Sequence, residues 1–298
     1  MKYLITGGAG FIGSHLARAL LRQGHAVDVL DNLSTGSVSN LSGIENVIRF
    51  YNADIQSYAD IKDISQGHDG IFHLAALTSV AESYQKEKDY FDVNVSGTKN
   101  ILDAAEKTAT KVVFASSSAV YGNTKTIPTP ESAERRPANP YGITKLEAEH
   151  LAENYGKSFE IVGLRFYNVY GNNPASSSAG VISKFYQNVI ANKPPVIDGS
   201  GNQLRDFVFV DDVTRAAILA MQKNTGSVFV NIGSGDAISI LELANLFIRY
   251  SKKDLSPVFA GEKEGNVRSS QADISLAGTL LGWRPETTLE EWVKNLFT

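Results

Sequence analysis

Short apolar runs alternate with longer amphipathic ones through the first half of the chain. Residues 3–6, 26–30, 47–51, 70–74 and 111–115 are brief and apolar, and each predicts a buried strand. Residues 11–23, 57–64, 84–107 and 140–156 are longer, with apolar positions at helical spacing, and predict helices. Such alternation predicts a parallel sheet covered by helices on both faces, and right-handed crossovers make that sheet doubly wound. A further strand is predicted at 160–166. After Gly171 the rhythm breaks: residues 172–180 are rich in Asn, Ser, Pro and Gly and predict a loop. Beyond it the pattern predicts a helix at 181–191, strands near 207–210 and 228–232, and helices at 240–251 and 289–296. The expected class is α/β. A nucleotide-binding domain spans 1–166, with a returning segment near 206–232. A smaller α/β substrate-binding domain occupies 167–298.

Composition narrows the chemistry. The chain has 298 residues, 43% of them apolar, enough for a core that needs no disulfide or metal staple. It has no cysteine, which excludes disulfides, a thiolate nucleophile and zinc–sulfur sites. The five histidines form no ligand pair, so no metal site is expected. The net charge of −4, with no basic block, argues against nucleic acid as a partner. No apolar run is long enough to span a membrane. The chain enters a structural motif at its first residues, which leaves no room for a signal peptide and makes the cytoplasm the expected location.

That motif is Thr6-Gly-Gly-Ala-Gly-Phe-Ile-Gly13, placed between a predicted strand and a predicted helix. This is the context of the Rossmann dinucleotide fingerprint. Its glycines permit a tight turn, close backbone approach to a pyrophosphate and tight helix–strand packing, and the helix N-terminus favours the phosphate charge. Asp31 ends the second strand, eighteen residues past Gly13, where a carboxylate binds both hydroxyls of an adenosine ribose. It would repel a 2′-phosphate, and neither Asn32 nor Leu33 offers a cation, so NAD is favoured over NADP.

Tyr141 and Lys145 are four apart on a predicted helix and share a face. An ammonium near a phenol favours phenolate, as would a positive nicotinamide ring. Tyr141 is therefore expected to have a lowered pKa and to act as general base. Ser116-Ser117-Ser118 supplies hydroxyls at a strand end, where a parallel sheet places its crevice. Taken alone, the Tyr–Lys pair reads equally well as an exposed aromatic–basic pair. The glycine loop and the serine strand end change that reading.

With these motifs the chain resembles the extended short-chain dehydrogenase/reductases. The further strings that carry the likeness are His73-Leu-Ala-Ala76, Asn94-Val-Ser-Gly-Thr98, Ser116-Ser-Ser-Ala-Val-Tyr-Gly122, Tyr141-Gly-Ile-Thr-Lys145, Leu164-Arg-Phe-Tyr-Asn168 and Arg205-Asp-Phe-Val-Phe-Val-Asp-Asp212. Within that family it is most similar to nucleotide-sugar 4-epimerases of the UDP-galactose and UDP-N-acetylglucosamine type. The resemblance implies bound NAD, a UDP-sugar substrate, a transient 4-keto sugar and a homodimer.

Residue by residue, it implies that Ser117 meets the sugar 4-hydroxyl, Tyr141 takes its proton, and Lys145 holds the nicotinamide ribose. For the cofactor it implies Gly7, Gly10, Phe11, Ile12, Gly13, Asp31, Asn32, Asp54, Ile55, Leu74, Ala75, Ala76 and Asn94. Leu74–Ala76 equally suit ordinary core packing. For the substrate it implies Ser117, Ser118, Asn168, Arg205, Arg268 and Ser270. Arg205 suits diphosphate oxygens, or else an ion pair with Asp206 or Asp211. Sugar-nucleotide dehydratases carry Asp-Glu where this chain has Ser118-Ala119, which disfavours dehydration. A small residue at Ser270 leaves room for an N-acetyl group on the sugar, unless that side chain faces solvent. Glu264–Asp273 matches a further family string with two departures: Asn266 for the usual Asp, and Lys263 where some members have Arg. Rival readings on the same fold are a dehydratase, decarboxylase or reductase, or a non-catalytic NAD sensor.

Overall fold

The computed structural model describes residues 1–171, 180–261 and 267–298. Asn266 and Lys263, Glu264 and most of the loop expected at 172–180 lie outside them. The chain opens with β1 (Lys2–Thr6), α1 (Phe11–Arg22), β2 (Ala26–Asp31), β3 (Arg49–Asn52), α2 (Tyr58–Ile64) and β4 (Gly70–His73). Then come α3 (Val80–Ser83), α4 (Glu87–Phe91), α5 (Thr98–Glu106), β5 (Val112–Ser117), α6 (Pro140–Tyr155) and β6 (Ile161–Phe166). The second half holds β7 (Asn168–Tyr170), α7 (Val181–Ile190), β8 (Val196–Asp198), β9 (Leu204–Phe209), α8 (Val210–Gln222) and β10 (Val228–Ile232). It ends with β11 (Ala237–Ser239), α9 (Ile240–Ser251), β12 (Val258–Ala260), β13 (Ser269–Ser270), α10 (Ser275–Leu281) and α11 (Leu289–Asn295).

Seven strands form one sheet in the order β10-β6-β5-β4-β1-β2-β3, and every pairing is parallel. The order reverses between β1 and β4, and ligands bind outside the strand ends at such a switch point. Both faces are covered, as a parallel sheet requires. One face packs Leu16, Ala17 and Leu20 of α1 against Val213, Ala216 and Ala217 of α8. The other packs Ile61 of α2, Ile101 and Leu102 of α5 and Ala148 of α6. A third cluster fills the C-terminal lobe around Phe185, Phe247 and Trp292. Buried Asp212 ties the C-terminal segment to α8: its carboxylate accepts the Glu286 and Thr287 N–H groups, and its carbonyl accepts Trp283 Nε1–H.

The expected strands and helices appear with ends shifted by a few residues. The expected helix at 84–107 differs more. It runs as α4, a π-helical stretch at Asp92–Gly97, and α5. Such an insertion within a helix often marks a functional site, and this one carries Asn94. α6 begins as its sequence demands: the Asn139 side chain accepts the Gly142 N–H at 2.8 Å and Pro140 occupies the first turn. Strands β7, β8, β11, β12 and β13 have only two or three residues, too few for periodicity to show.

Candidate active site

A cleft of about 480 Å³ lies along the carboxyl ends of the strands. Gly7, Gly10, Phe11, Ile12 and Gly13 line it on one side, with Asp31, Asn32 and Ile55 beyond them. Leu74, Ala75 and Ala76 follow β4, and Ser117, Tyr141, Lys145 and Asn168 close the far end. The glycine loop is dictated by crowding. Gly7 has φ of +71°, and a Cβ there would stand 2.7 Å from the Ala75 backbone nitrogen. A Cβ on Gly13 would fall 2.3 Å from Gly7 O, so nothing larger can begin α1 against β1. No side chain caps the N-terminus of α1, which leaves its leading N–H groups for an anion.

Asp31 is buried at the end of β2 and accepts the Ala9 N–H at 2.9 Å and the Leu33 N–H at 2.8 Å. These bonds offset part of the burial, which nonetheless raises its pKa. Two lone-pair directions remain for a vicinal diol. These features, on this chain, fit NAD: a cradle that a Cβ would fill, an uncapped helix start and a carboxylate aimed at a ribose. Asp54 does not line the cleft. Its carboxylate accepts the Asn32 amide at 2.8 Å and so orients Asn32.

Asn94 is likewise one step removed from the cleft. Fully buried, it accepts Leu77 N–H at 2.8 Å, donates to Leu77 O at 3.0 Å and donates to Thr144 Oγ1 at 3.0 Å. It thereby fixes the segment after β4 to the catalytic helix. His73 bridges Thr6 Oγ1 at 2.7 Å and Thr98 Oγ1 at 2.9 Å. Thr98 spends its own proton on Asn94 O, so Nε2 donates and Nδ1 accepts. Burial pushes this histidine down to about 3, so it stays neutral and serves as a spacer rather than an acid.

The structure brings Ser117, Tyr141 and Lys145 together at the end of β5. The neighbouring Ser117 hydroxyl draws the Tyr141 phenol pKa down, but burial has the larger effect and the phenol lies above its ordinary value. The expectation of a lowered Tyr141 pKa is therefore corrected for the protein alone. Lys145 donates to Ala115 O at 3.0 Å, and its own ammonium is destabilised. Burial lowers Lys145 to about 8 from its ordinary 10.5, against an opposing pull from Glu149.

This has a measurable consequence. Between about 8 and 10.5 the unfolded chain holds the Lys145 proton and the folded chain does not, so stability rises with pH across that window. The gain present above it is lost as pH falls through the folded value. Lys145→Met is therefore expected to stabilise the chain by about 2 kcal/mol at pH 7 while destroying turnover. Urea unfolding at pH 7 and again near pH 10.5 checks this; equal stability of the two proteins at pH 7 would refute it.

The opposite wall of the cleft is a small sheet in which β9 pairs with β7, β11 and β13. Asn168 stands beside Phe207, and Arg205 beside Ser270, in parallel register. Strand alternation puts Arg205 on the face of Phe207, which lines the cleft. Asn168, Arg205 and Ser270 thus share one face of this sheet, but of the three only Asn168 lines the cleft itself; Arg205 and Ser270 lie beyond its edge. Neither ion pair considered for Arg205 forms. Asp206 accepts the Ala272, Ser234 and Gly235 N–H groups and Asp211 is held by His15. Arg205 has no carboxylate partner among the described residues, and burial lowers its pKa.

Asn168 spends its amide on Asp206 O at 2.8 Å. Arg268 is exposed, held through its N–H by Asn123 at 2.9 Å. Ser118 opens a 3₁₀ turn behind Ser117 and does not line the cleft. Sequence reasoning missed Ser183 in the first turn of α7. It lines the cleft, and its buried hydroxyl has no partner among the described residues. A lone serine in an amphipathic helix carries no signal that would have singled it out.

Taken together, a parallel sheet with a glycine loop at its switch point and a Ser–Tyr–Lys constellation at a neighbouring strand end define an extended short-chain dehydrogenase/reductase. The chain belongs to the NAD dependent epimerase/dehydratase family, whose model matches residues 3–233. Its fold is close to that of the UDP-glucose 4-epimerase of Thermotoga maritima, solved with UDP-glucose: 36% identity over 99% of this chain and 96% of that one, TM-score 0.93. The UDP-N-acetylglucosamine 4-epimerase of Methanobrevibacter ruminantium, in complex with UDP-N-acetylmuramic acid, matches with 32% identity over 98% and 96%, TM-score 0.92. The UDP-glucuronic acid 4-epimerase of Bacillus cereus, solved with UDP-glucuronic acid and NAD, matches with 31% identity over 99% and 97%, TM-score 0.91.

Proposed function

We propose that the chain is an NAD-dependent UDP-sugar 4-epimerase that interconverts UDP-glucose with UDP-galactose and UDP-N-acetylglucosamine with UDP-N-acetylgalactosamine. The observation that carries the reading is the position of Ser117, Tyr141 and Lys145. They line the cleft between its glycine-loop half and the wall that bears Asn168 and Phe207. NAD supplies a hydride acceptor that returns the hydride, so no second substrate is consumed. Tyr141 Oη takes the proton of the sugar 4-hydroxyl as the C4–H bond breaks, and gives it back to the re-reduced oxygen. Ser117 Oγ orients that hydroxyl, and the Lys145 ammonium stabilises the phenolate. The 4-keto sugar turns over between the two transfers while Arg205 and Arg268 keep the diphosphate. The absence of an acid at Ser118 and Ala119 favours this cycle over elimination of water.

The division of labour follows the chain: residues 1–166 with the returning 206–232 segment hold NAD, and 167–298 hold mainly the sugar nucleotide. Mixing the purified protein with each UDP-hexose and following C4 epimers by NMR tests the reading; no conversion of any UDP-sugar, with NAD added, rejects it. For the choice of sugar, Ser270→Tyr is expected to cut N-acetylhexosamine turnover about tenfold or more, with little effect on plain hexoses, by filling the space beside C2. Equal losses on both substrates would rule out the steric explanation.

The reading includes a homodimer. Tyr84, Phe91 and Ile143 are large apolar side chains left exposed at the end of α3, in α4 and in α6, helices that pack on one another, and a two-fold helical interface would cover them. A monomer mass in sedimentation equilibrium would overturn it. It also includes a cytoplasmic location, where NAD and UDP-sugars circulate, which cell fractionation checks. Among the described residues no helix is long and apolar enough to cross a membrane.

A further inference from the structure

A buried ionic network stands directly behind the Ser–Tyr–Lys constellation, and the reaction proposed above makes no use of it. Glu149 lies one helical turn beyond Lys145 on α6 and has no solvent exposure. Its Oε1 accepts Ser116 Oγ–H at 2.5 Å and Arg165 Nε–H at 2.8 Å. Its Oε2 accepts Arg165 Nη2–H at 2.9 Å and Arg135 Nη1–H at 3.0 Å. Ser116 and Arg165 are register partners on β5 and β6. One carboxylate therefore ties the catalytic helix to the strand end that presents Ser117.

The network continues to the substrate side. Arg165 Nη1 donates to the Tyr121 hydroxyl at 2.6 Å, which donates to Asn231 Oδ1 at 2.8 Å. The Asn231 amide donates to Thr129 O at 2.9 Å, and Thr129 bridges the backbone at Ala272, two residues past Ser270.

Stability alone does not account for this arrangement, since an apolar pair of similar volume is often as stable as a buried ion pair. What an apolar pair could not supply is a charge. Among the described residues, Glu149 is the carboxylate that acts on Lys145, with the Arg165 and Arg135 cations on its far side. On β5 the surroundings of Lys145 offer the Ala115 carbonyl and the Phe114 ring, 5.7 Å from Nζ. On β4 they offer His73, which is neutral, and on α6 the Tyr141 phenol and Glu149.

We propose that Glu149 is a positioning residue for Lys145: its carboxylate, one helical turn away on α6 and anchored by Ser116, Arg165 and Arg135, sets the charge that the Lys145 ammonium meets in a dry site. The proposal rests on the Tyr141–Lys145 relay described above. Glu149 touches neither substrate nor cofactor and acts through Lys145.

The test uses the NAD-loaded enzyme. In Glu149→Gln the alkaline limb of the epimerisation rate against pH is expected to move down by about one pH unit, from the Coulomb interaction of neighbouring charges in a protein interior. The ¹³Cε resonance of Lys145, assigned by its loss in Lys145→Met, should titrate lower by the same amount. Glu149→Asp, which keeps the charge, should leave both near the wild-type position. Because Glu149→Gln strands the Arg165 cation, the pair Glu149→Leu with Arg165→Met removes both charges. It is expected to shift both readouts in the same direction, by less. Folded variants that titrate where the wild type does would overturn the proposal, whatever their loss of rate. If the wild type equilibrates no UDP-sugar, the functional reading falls, and the Lys145 resonance still decides the role of Glu149.

Discussion

Tyr141→Phe is expected to lower epimerisation by about 10²–10⁴-fold while leaving NAD bound. The substitution removes one oxygen and keeps the ring that packs in the first turn of α6. What is lost is the group that Ser117 engages and that exchanges a proton with the sugar 4-hydroxyl. Hydride transfer from C4 without proton removal would leave a protonated ketone, so the barrier must rise by the value of the missing base. Cofactor retention follows because Lys145, the glycine loop and Asp31 are untouched. NAD released on heat denaturation, compared with turnover of UDP-galactose, separates the two effects. Turnover near the wild-type rate would remove Tyr141 from its assigned role. Loss of NAD along with activity would show that the phenol is instead needed to assemble the cofactor site.

Asp206→Ala is expected to destabilise the fold by about 3–5 kcal/mol and to weaken UDP-sugar binding before it affects NAD. Asp206 is fully buried in β9, next to Arg205. Oδ1 accepts Ser234 N–H at 2.6 Å and Ser234 Oγ–H at 2.8 Å, and Oδ2 accepts Gly235 N–H at 3.1 Å and Ala272 N–H at 3.0 Å. These bonds join the loop after β10 and the strand carrying Ser270 to the strand carrying Arg205. Alanine strands three backbone donors, each costing about 1–3 kcal/mol, partly recovered as a buried carboxylate is removed and water enters. Burial raises the Asp206 pKa, and the four donors oppose that rise. Asp206→Asn keeps some acceptors and should lose less. Urea midpoints for the three proteins, with Michaelis constants for the folded ones, test this. An unchanged midpoint for Asp206→Ala would show that the loop and strand hold without the carboxylate.

Much of the nucleotide half was legible in the chain because its signals are local. The glycine spacing at 7, 10 and 13, the acid at Asp31, and the Asn139–Pro140 start of the helix carrying Tyr141 and Lys145 each depend on neighbours within a turn or on strand–helix rhythm. The resemblance built on those strings led directly to the family. Short elements were another matter. β7 and β13 are too brief to show a period, yet they bring Asn168 and Ser270 beside β9.

Local pattern by itself determined the alternating strands and helices, the phosphate loop, the preference for NAD, and which tyrosine and lysine share a face. Only the tertiary structure decided how those groups behave. It placed Asn94 and Asp54 behind the cleft rather than on it, left Arg205 without either neighbouring acid, and raised rather than lowered the Tyr141 phenol. It also set Glu149 against Arg165 and Asp206 against Ala272. The reason is physical. Spacing encodes which face of an element a side chain occupies. Burial, desolvation and charge pairing depend on what the crossovers stack against that face, and those partners lie tens of residues away along the chain.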